Sequence, residues 1–485
     1  MRKSKRVLSI MMAITIAVGM SACGGSSDTA KVANDNVTNT NDVEAKDAQA
    51  TEAKDANEAK QYKLLTDENG KPYDLGGMEI IIGDWWSSGE KEEAASAYEE
   101  ARLEYLDWIQ ESYNFTIKEQ AITSFDESPE NFVNYATTGK DENYIFTLYQ
   151  GSALMSAINS DLMYDLSTLD CLDFSESKWE TSVKELMTIG NATYGMRGIP
   201  HQATAGIFFN KRLLEESGID PDSIYELQAN KEWTWDKFEE LCQKVQKDTD
   251  NDGVIDRHAM TNFTSTLYPA AVYSNGGAFI GKDEKGFYNA LESDPTMEAL
   301  NWALDLVSKY EMVYPEDSEW DYTFTAFANG EAVFTCAESY KAGDWSEMED
   351  DFGFVCFPMG PRMDHYVNFA QDNVYVIPSC YDAEKAWKIA FAFNLYTDPV
   401  PGYEDYEGWK SGYYQSFRDT ESVDETLAIM VKSGVPMYEK AINGISMGED
   451  LLWGINEDNT PAQKAEAIRN TWQSYIDQTN SQQIK

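Results

Sequence analysis

Histidine, paired thiols and positive charge are all scarce in this chain, and each scarcity removes a class of function. Three histidines occur, His201, His258 and His365, none at metal-ligand spacing from another, so a histidine-rich metal site is excluded. Beyond Cys23 there are five cysteines: Cys171, Cys242, Cys336, Cys356 and Cys380. They are odd in number and hold no C-x-x-C pair, so they suit neither a zinc ribbon nor a full disulfide framework, and most read as small core residues. Bases number 38 against 84 acids, a net charge of −46. Such a surface repels phosphate backbones and anionic lipid heads, so nucleic acid is not expected as a partner. No G-x-x-x-x-G-K-[ST] loop is present, so nucleotides are not hydrolysed by that route. After residue 18 no apolar run is long enough to cross a bilayer.

What is present starts with targeting. Arg2, Lys3, Lys5 and Arg6 precede an apolar run from Val7 to Val18, followed by Met20-Ser21-Ala22-Cys23-Gly24. Small residues directly before a cysteine resemble the bacterial lipoprotein signal, which predicts cleavage after residue 22 and lipidation of Cys23. A plain secretory signal cleaved near Ala22 is the alternative. Residues 23–61 read as a low-complexity tether, with EAKDA at Glu44–Ala48 and again at Glu52–Ala56. As a coil it reaches roughly 30–40 Å, enough to hold a domain clear of a membrane to which only the lipid attaches.

At 485 residues the remainder is too long for one compact core and predicts two domains. Glu79–Gly83 reads as a buried strand. Glu90–Tyr113 reads as a helix, with Ala94, Tyr98, Ala101, Tyr105 and Ile109 on one face. Phe115–Glu119 and Tyr144–Tyr149 read as further strands, and strands separated by helices predict parallel, helix-covered α/β sheets. In such sheets ligands sit beyond the carboxyl ends of the strands, where Asp84-Trp85-Trp86 and Tyr149-Gln150 fall.

Two motifs invite sharper readings. Gly444-Ile445-Ser446-Met447-Gly448 matches the G-x-S-x-G elbow of hydrolases, but every histidine precedes Ser446 and no strand leads into it, so it reads as a turn. Asp248-Thr249-Asp250-Asn251-Asp252-Gly253-Val254-Ile255-Asp256 matches the first half of a calcium loop. Asp248, Asp250, Asp252, Asp256 and the carbonyl of Val254 are the expected ligands of a structural Ca2+, approached by a helix capped at Thr234. Ala259 stands where the bidentate Glu belongs, which predicts reduced affinity; a solvated acidic turn is the alternative. No organic cofactor is called for.

Several stretches in order resemble the extracellular solute-binding proteins of carbohydrate ABC transporters, the group that includes maltose-binding protein. They are Gly195–Asp220 (GMRGIPHQATAGIFFNKRLLEESGID), Trp233-Thr234-Trp235, Phe327–Phe334 (FANGEAVF), Phe352–Pro361 (FGFVCFPMGP) and Asp382–Asn394 (DAEKAWKIAFAFN). The resemblance implies a two-lobed α/β fold: residues 62–200 in the first lobe, 201–370 in the second, and 371–485 returning to the first with a helical region shared between them. Crossings are implied near Pro200–Ile207 and Phe369–Pro378. It further implies a monomer that is no enzyme, closes on a carbohydrate, and presents it to permease subunits on the outer face of the cytoplasmic membrane. Implied solute contacts are Asp84, Trp85, Trp86, Tyr149, Gln150, Asn275, Gly276, Gly277, Tyr340, Trp345, Asp372, Trp409 and Tyr413. Indoles suit the C–H face of a sugar ring, and Asp, Asn and Gln its hydroxyl edge. If the chain stays extended at Trp85-Trp86, only one of the two rings can line the cleft. A surface glycoside-active enzyme, or a receptor for a peptide or polyamine, remains the alternative.

Overall fold

The computed structural model describes residues 62–483, apart from short segments at 90–93, 95, 140, 150, 199–204, 249, 371–372 and 404–406. The signal, Cys23 and the tether lie outside the described residues.

The first sheet grows from alternating strand and helix. Strand β1 (Met78–Asp84) buries Ile80 and Ile82, and helix α1 (Ala97–Tyr113) follows. The helix starts later than its periodicity predicts, because the Ser96 hydroxyl accepts the N–H of Glu99 and caps it there. Ala101, Tyr105, Ile109 and Tyr113, spaced at four, bury its inner face; Ala94 is exposed outside it. Asn114 takes the left-handed conformation that ends the helix and releases the chain into β2 (Phe115–Ala121). Helix α2 (Ser128–Thr138) and strand β3 (Asn143–Tyr149) complete the run. Strand β1 pairs in parallel with β2 on one side and β3 on the other, with Ile80 opposite both Ile117 and Asn143.

The second sheet takes strand β4 (Ala205–Asn210), then helix α3 (Trp235–Val245), β5 (His258–Thr261), helix α4 (Thr264–Ser274), helix α5 (Asp294–Tyr310), β6 (Ala332–Glu338) and β7 (Phe352–Cys356). Its order is β7-β4-β6-β5. Here the expectation of a mostly parallel sheet fails: β4 runs antiparallel to both β6 and β7, and only β5 and β6 are parallel. Both neighbours of β4 run against it, so two of the three pairings reverse. Phe208, Phe209, Phe334, Phe352 and Phe354 on these strands are fully buried in the core.

Strand β8 (Asn373–Val376) then joins the first sheet, antiparallel to β3, with Asn373 opposite Tyr149. Helix α6 (Ala383–Tyr396), capped by the Asp382 carboxylate accepting the N–H of Lys385, buries Ile389, Phe391 and Phe393. The tail beyond Pro399 touches elements of both sheets' surroundings. Gly434–Pro436 pairs in parallel with Asn368–Ala370, and Tyr438 donates to Glu185. Helix α7 (Pro461–Gln483) clips the hairpin at residues 280–289 through Asn480, which exchanges two hydrogen bonds with the backbone of Phe287. The Gly444–Gly448 motif begins as a turn with Gly444 at φ +98° and runs into a π-helical segment, Met447–Leu451, and Asp450 accepts both the Ser446 N–H and the buried indole N–H of Trp472. Cys242, Cys336 and Cys356 are core residues as expected, Cys171 is half-buried, and Cys380 is exposed. Among the described residues no helix is long and apolar enough to cross a membrane.

Candidate functional site

The carboxyl ends of β1, β2 and β3 and those of β5 and β6 open onto one cavity of about 720 Å³. This is the size class of a small-molecule site. Trp85 and Trp86 reach it from beyond β1, Phe125 from beyond β2, and Tyr149 from the last position of β3. Phe263 follows β5, while Glu338 ends β6 and Tyr340 lies two residues on. Arg197, Asn373 and Tyr375 close the wall.

Both indoles enter, contrary to the extended-chain expectation. Asp84 is buried, and its Oδ1 accepts the backbone N–H of Trp86 at 3.0 Å and of Ser87 at 2.9 Å. Its Oδ2 takes the Ser87 hydroxyl. This acid-centred turn breaks the period of two that would have sent the rings apart. The two rings meet edge to face, centroids 5.0 Å apart at 81°. Trp85 continues onto Phe125 at 5.4 Å, and Phe125 onto Tyr149 at 5.5 Å. The result is a chain of four rings on the first-sheet side. Trp86, Phe125 and Tyr340 remain about half exposed, at 52%, 50% and 50%, although each is aromatic.

Polar groups sit at the edges of this aromatic wall. Arg197 donates through Nη1 to the Asn373 carbonyl at 3.2 Å. The Lys440 ammonium lies 5.4 Å from the Tyr149 ring centroid. Burial pushes its pKa down, while Glu439 and Glu338 pull it back up. Burial first, then the charge of Glu338, raises the phenols of Tyr149 and Tyr340. Both hydroxyls therefore stay protonated and able to donate at neutral pH.

Other sequence candidates are placed elsewhere. Asp84 does not face the cavity; it holds the turn beneath the indoles. Trp345 is in the core, edge-on to Phe208 at 4.8 Å and beside Phe327, because the helix after β6 turns it away from Tyr340. Asn275, Gly276 and Gly277 end helix α4 away from the cavity. Asn275 is buried and donates to the Pro295 carbonyl and Glu298, and Gly276 takes φ +71°. Trp409 and Tyr413 line a second hollow. Gln150 and Asp372 lie outside the described residues. Phe125, Arg197, Phe263, Glu338, Asn373 and Tyr375 were not anticipated. The strand-end rule that singled out Trp85 and Tyr149 would also have found Phe125 and Phe263; nothing local marks Arg197.

At the acidic loop, helix α3 leads in with Thr234 as its cap, accepting from Lys237. Asp248, Asp250 and Asp256 bring carboxylate oxygens within 4.8 Å of one another. Asp248 also accepts the N–H groups of Asn251 and Gly253, which takes φ +92°. Asp252 is not part of the trio; its Oδ1 accepts from the exposed Val254. Ala259 is buried within β5 and offers no ligand.

Comparison with known proteins adds to this geometry. The profile of the family described as "Bacterial extracellular solute-binding protein" matches residues 132–393. Among the solved structures that share the fold are three of known ligand or origin. UgpB from Mycobacterium tuberculosis in complex with glycerophosphocholine has a TM-score of 0.57 at 15% identity, covering 83% of this chain and 99% of that one. The cyclic alpha-maltosyl-1,6-maltose binding protein from Arthrobacter globiformis has 0.55 at 13%, covering 84% and 99%. The GacH receptor of Streptomyces glaucescens, solved unliganded and with acarbose, has 0.54 at 14%, covering 82% and 99%. No curated protein matches the sequence.

Proposed function

The chain belongs to the bacterial extracellular solute-binding proteins, a family of binders and not of catalysts, and from that premise we propose that it captures a carbohydrate, an oligosaccharide, for an ABC importer. The observation that carries the reading is the run Trp86, Trp85, Phe125 and Tyr149 facing Tyr340 and Phe263 across one cavity, with Arg197, Glu338 and Asn373 at its margins. Flat apolar faces bounded by donors and acceptors match a pyranose, which has C–H faces and a hydroxyl rim. Glu338 on the wall is set against Arg197 and the nearby Lys440, a balance that favours a neutral solute over a polyamine, which would call for acids alone. Two of the structural relatives carry saccharides in their names or complexes, which supports the same class.

Closure supplies the signal. A solute held first by the Trp85–Tyr149 side gains contacts with Tyr340 and Phe263 only when the two sides approach, so binding shifts the population toward the closed form. Permease subunits recognise that form, and partner subunits consume the ATP. In this reading Cys23 carries lipid, residues 23–61 are the tether, and the protein works as a monomer on the outer face of the cytoplasmic membrane. Gln150 and Asp372, beside Tyr149 and Asn373 in sequence, are proposed as further contacts. Ca2+ held by Asp248, Asp250 and Asp256 is proposed to pin the loop between α3 and β5, with the modest affinity expected of three carboxylates.

The test is a thermal-shift screen of mono- and oligosaccharides followed by isothermal titration and product analysis. Stabilisation with heat and without product is the expected result. Silence toward every glycan, with heat from putrescine or a short peptide, would reassign the solute; a hydrolysed product would reassign the class.

A further inference from the structure

A second hollow, again of about 720 Å³, adjoins the first, and the two share Arg197 and Tyr375 as wall residues. The partition between them is built firmly. Met196 and Tyr375 exchange backbone hydrogen bonds at 3.0 and 2.9 Å, and Arg197 donates to the carbonyl of Asn373 in the same strand. The Tyr375 ring is supported by Phe393 at 5.1 Å. On its far side the hollow presents Trp409 and Tyr413, edge to face at 6.0 Å and 79°, with Tyr98 and Tyr403 paired at 5.7 Å.

We infer that this hollow receives further residues of the same saccharide, so that the solute is an extended, uncharged glycan crossing the Arg197–Tyr375 partition. The inference rests on the carbohydrate reading and adds length and charge to it. Length follows from size: either hollow alone matches a whole small-molecule site, and they meet at two residues. Neutrality follows from how the cations are used. The guanidinium of Arg102 donates to the carbonyls of Tyr396 and Asp398, and the buried ammonium of Lys178 is held by Asp398 and the Asn394 carbonyl. The carboxylates of the wall are engaged too, Glu180 by the N–H and hydroxyl of Ser182, Asp398 by Lys178 and Glu407 by Lys410; Lys432 also lines the hollow, and the rest of what it shows a ligand is aromatic faces and hydroxyls. A ring pair set edge to face offers one flat surface for stacking, as the Trp85–Trp86 pair does in the first cavity.

The experiment is titration of the full-length protein with linear gluco-, manno- and xylo-oligosaccharides of two to seven residues, beside the variants Trp409→Ala and Tyr413→Ala. In the unmutated protein affinity should climb with chain length past the disaccharide. In either variant the longest chains should lose roughly five- to fiftyfold while disaccharide binding stays within about twofold. Two substitutions are used because Trp409 is half-buried, and melting curves identify a variant that fails to fold. Equal losses at every length, or none at the longest, would overturn the inference and leave the carbohydrate reading intact. Silence of the unmutated protein toward all chains would overturn the carbohydrate reading itself.

Discussion

The Asp84 carboxylate accepts the backbone N–H of Trp86 at 3.0 Å, and this one bond decides where two indoles point. Together with the N–H of Ser87 it satisfies donors left over as β1 ends, and it curls the chain so that neighbouring rings face the same cavity. Asp84→Ala should therefore cost about 1–3 kcal/mol of stability, because buried donors lose their acceptor. It should also weaken glycan binding about tenfold or more, although the residue touches no solute. Asp84→Asn, which keeps one acceptor oxygen, should retain most of both. Urea unfolding and titration on the same samples separate the two effects.

Trp86 and Trp345 should part company under the same substitution. Trp86→Ala removes a half-exposed ring from the cavity, so the melting temperature should barely move while glycan affinity falls roughly ten- to hundredfold. Trp345→Ala empties a site packed by Phe208, Phe327 and Phe352, so it should cost about 3–5 kcal/mol. Affinity at a temperature where the protein is still folded should change little. A Trp345 variant that folds normally but no longer binds would contradict its core placement.

Glu311 predicts how stability varies with pH. Burial, set against hydrogen bonds from Tyr314 and Asn262, raises its carboxyl to about 7 from an ordinary 4.5. The folded state thus keeps a proton that the unfolded state releases between those values. Stability from this group is full at low pH and is lost as pH rises through 7, by at most about 3 kcal/mol. Glu311→Gln should flatten that slope, matching the parent near pH 4 and exceeding it at pH 8. Urea midpoints at the two pH values provide the check.

Chelation tests the acidic loop. If Ca2+ joins Asp248, Asp250 and Asp256, a chelator should lower the melting temperature by a few degrees and added Ca2+ restore it, with Mg2+ less effective. Asp250→Ala should abolish the response. An identical melting curve with and without chelator would leave the loop as a solvated turn.

Much of this arrangement is legible in the amino-acid sequence. Ile80 and Ile82 gave a strand, Ala101 to Ile109 a helix, and the strand-end rule drew attention to Trp85, Trp86 and Tyr149. Local patterns stopped at the point where partners lie far apart in sequence. Trp345 and Tyr340 are five residues apart, and nothing in their surroundings says that one is core and the other half exposed. Arg197 reaches the cavity wall only because Met196 bridges to Tyr375 in a strand that returns from the second sheet. The reversed direction of β4 was equally hidden, since a strand's sequence carries its burial but not the direction of its neighbours.

The amino-acid sequence alone determined the absences, the alternating strands and helices, the acid-rich loop and the family. Those depend on residue chemistry and on spacing within a few turns of chain. The tertiary structure decided which aromatics became walls and which became core, and that two hollows share Arg197 and Tyr375. Such outcomes depend on how remote segments exclude water from one another, and a ring's neighbours across a sheet are chosen by packing, which no short stretch of sequence encodes.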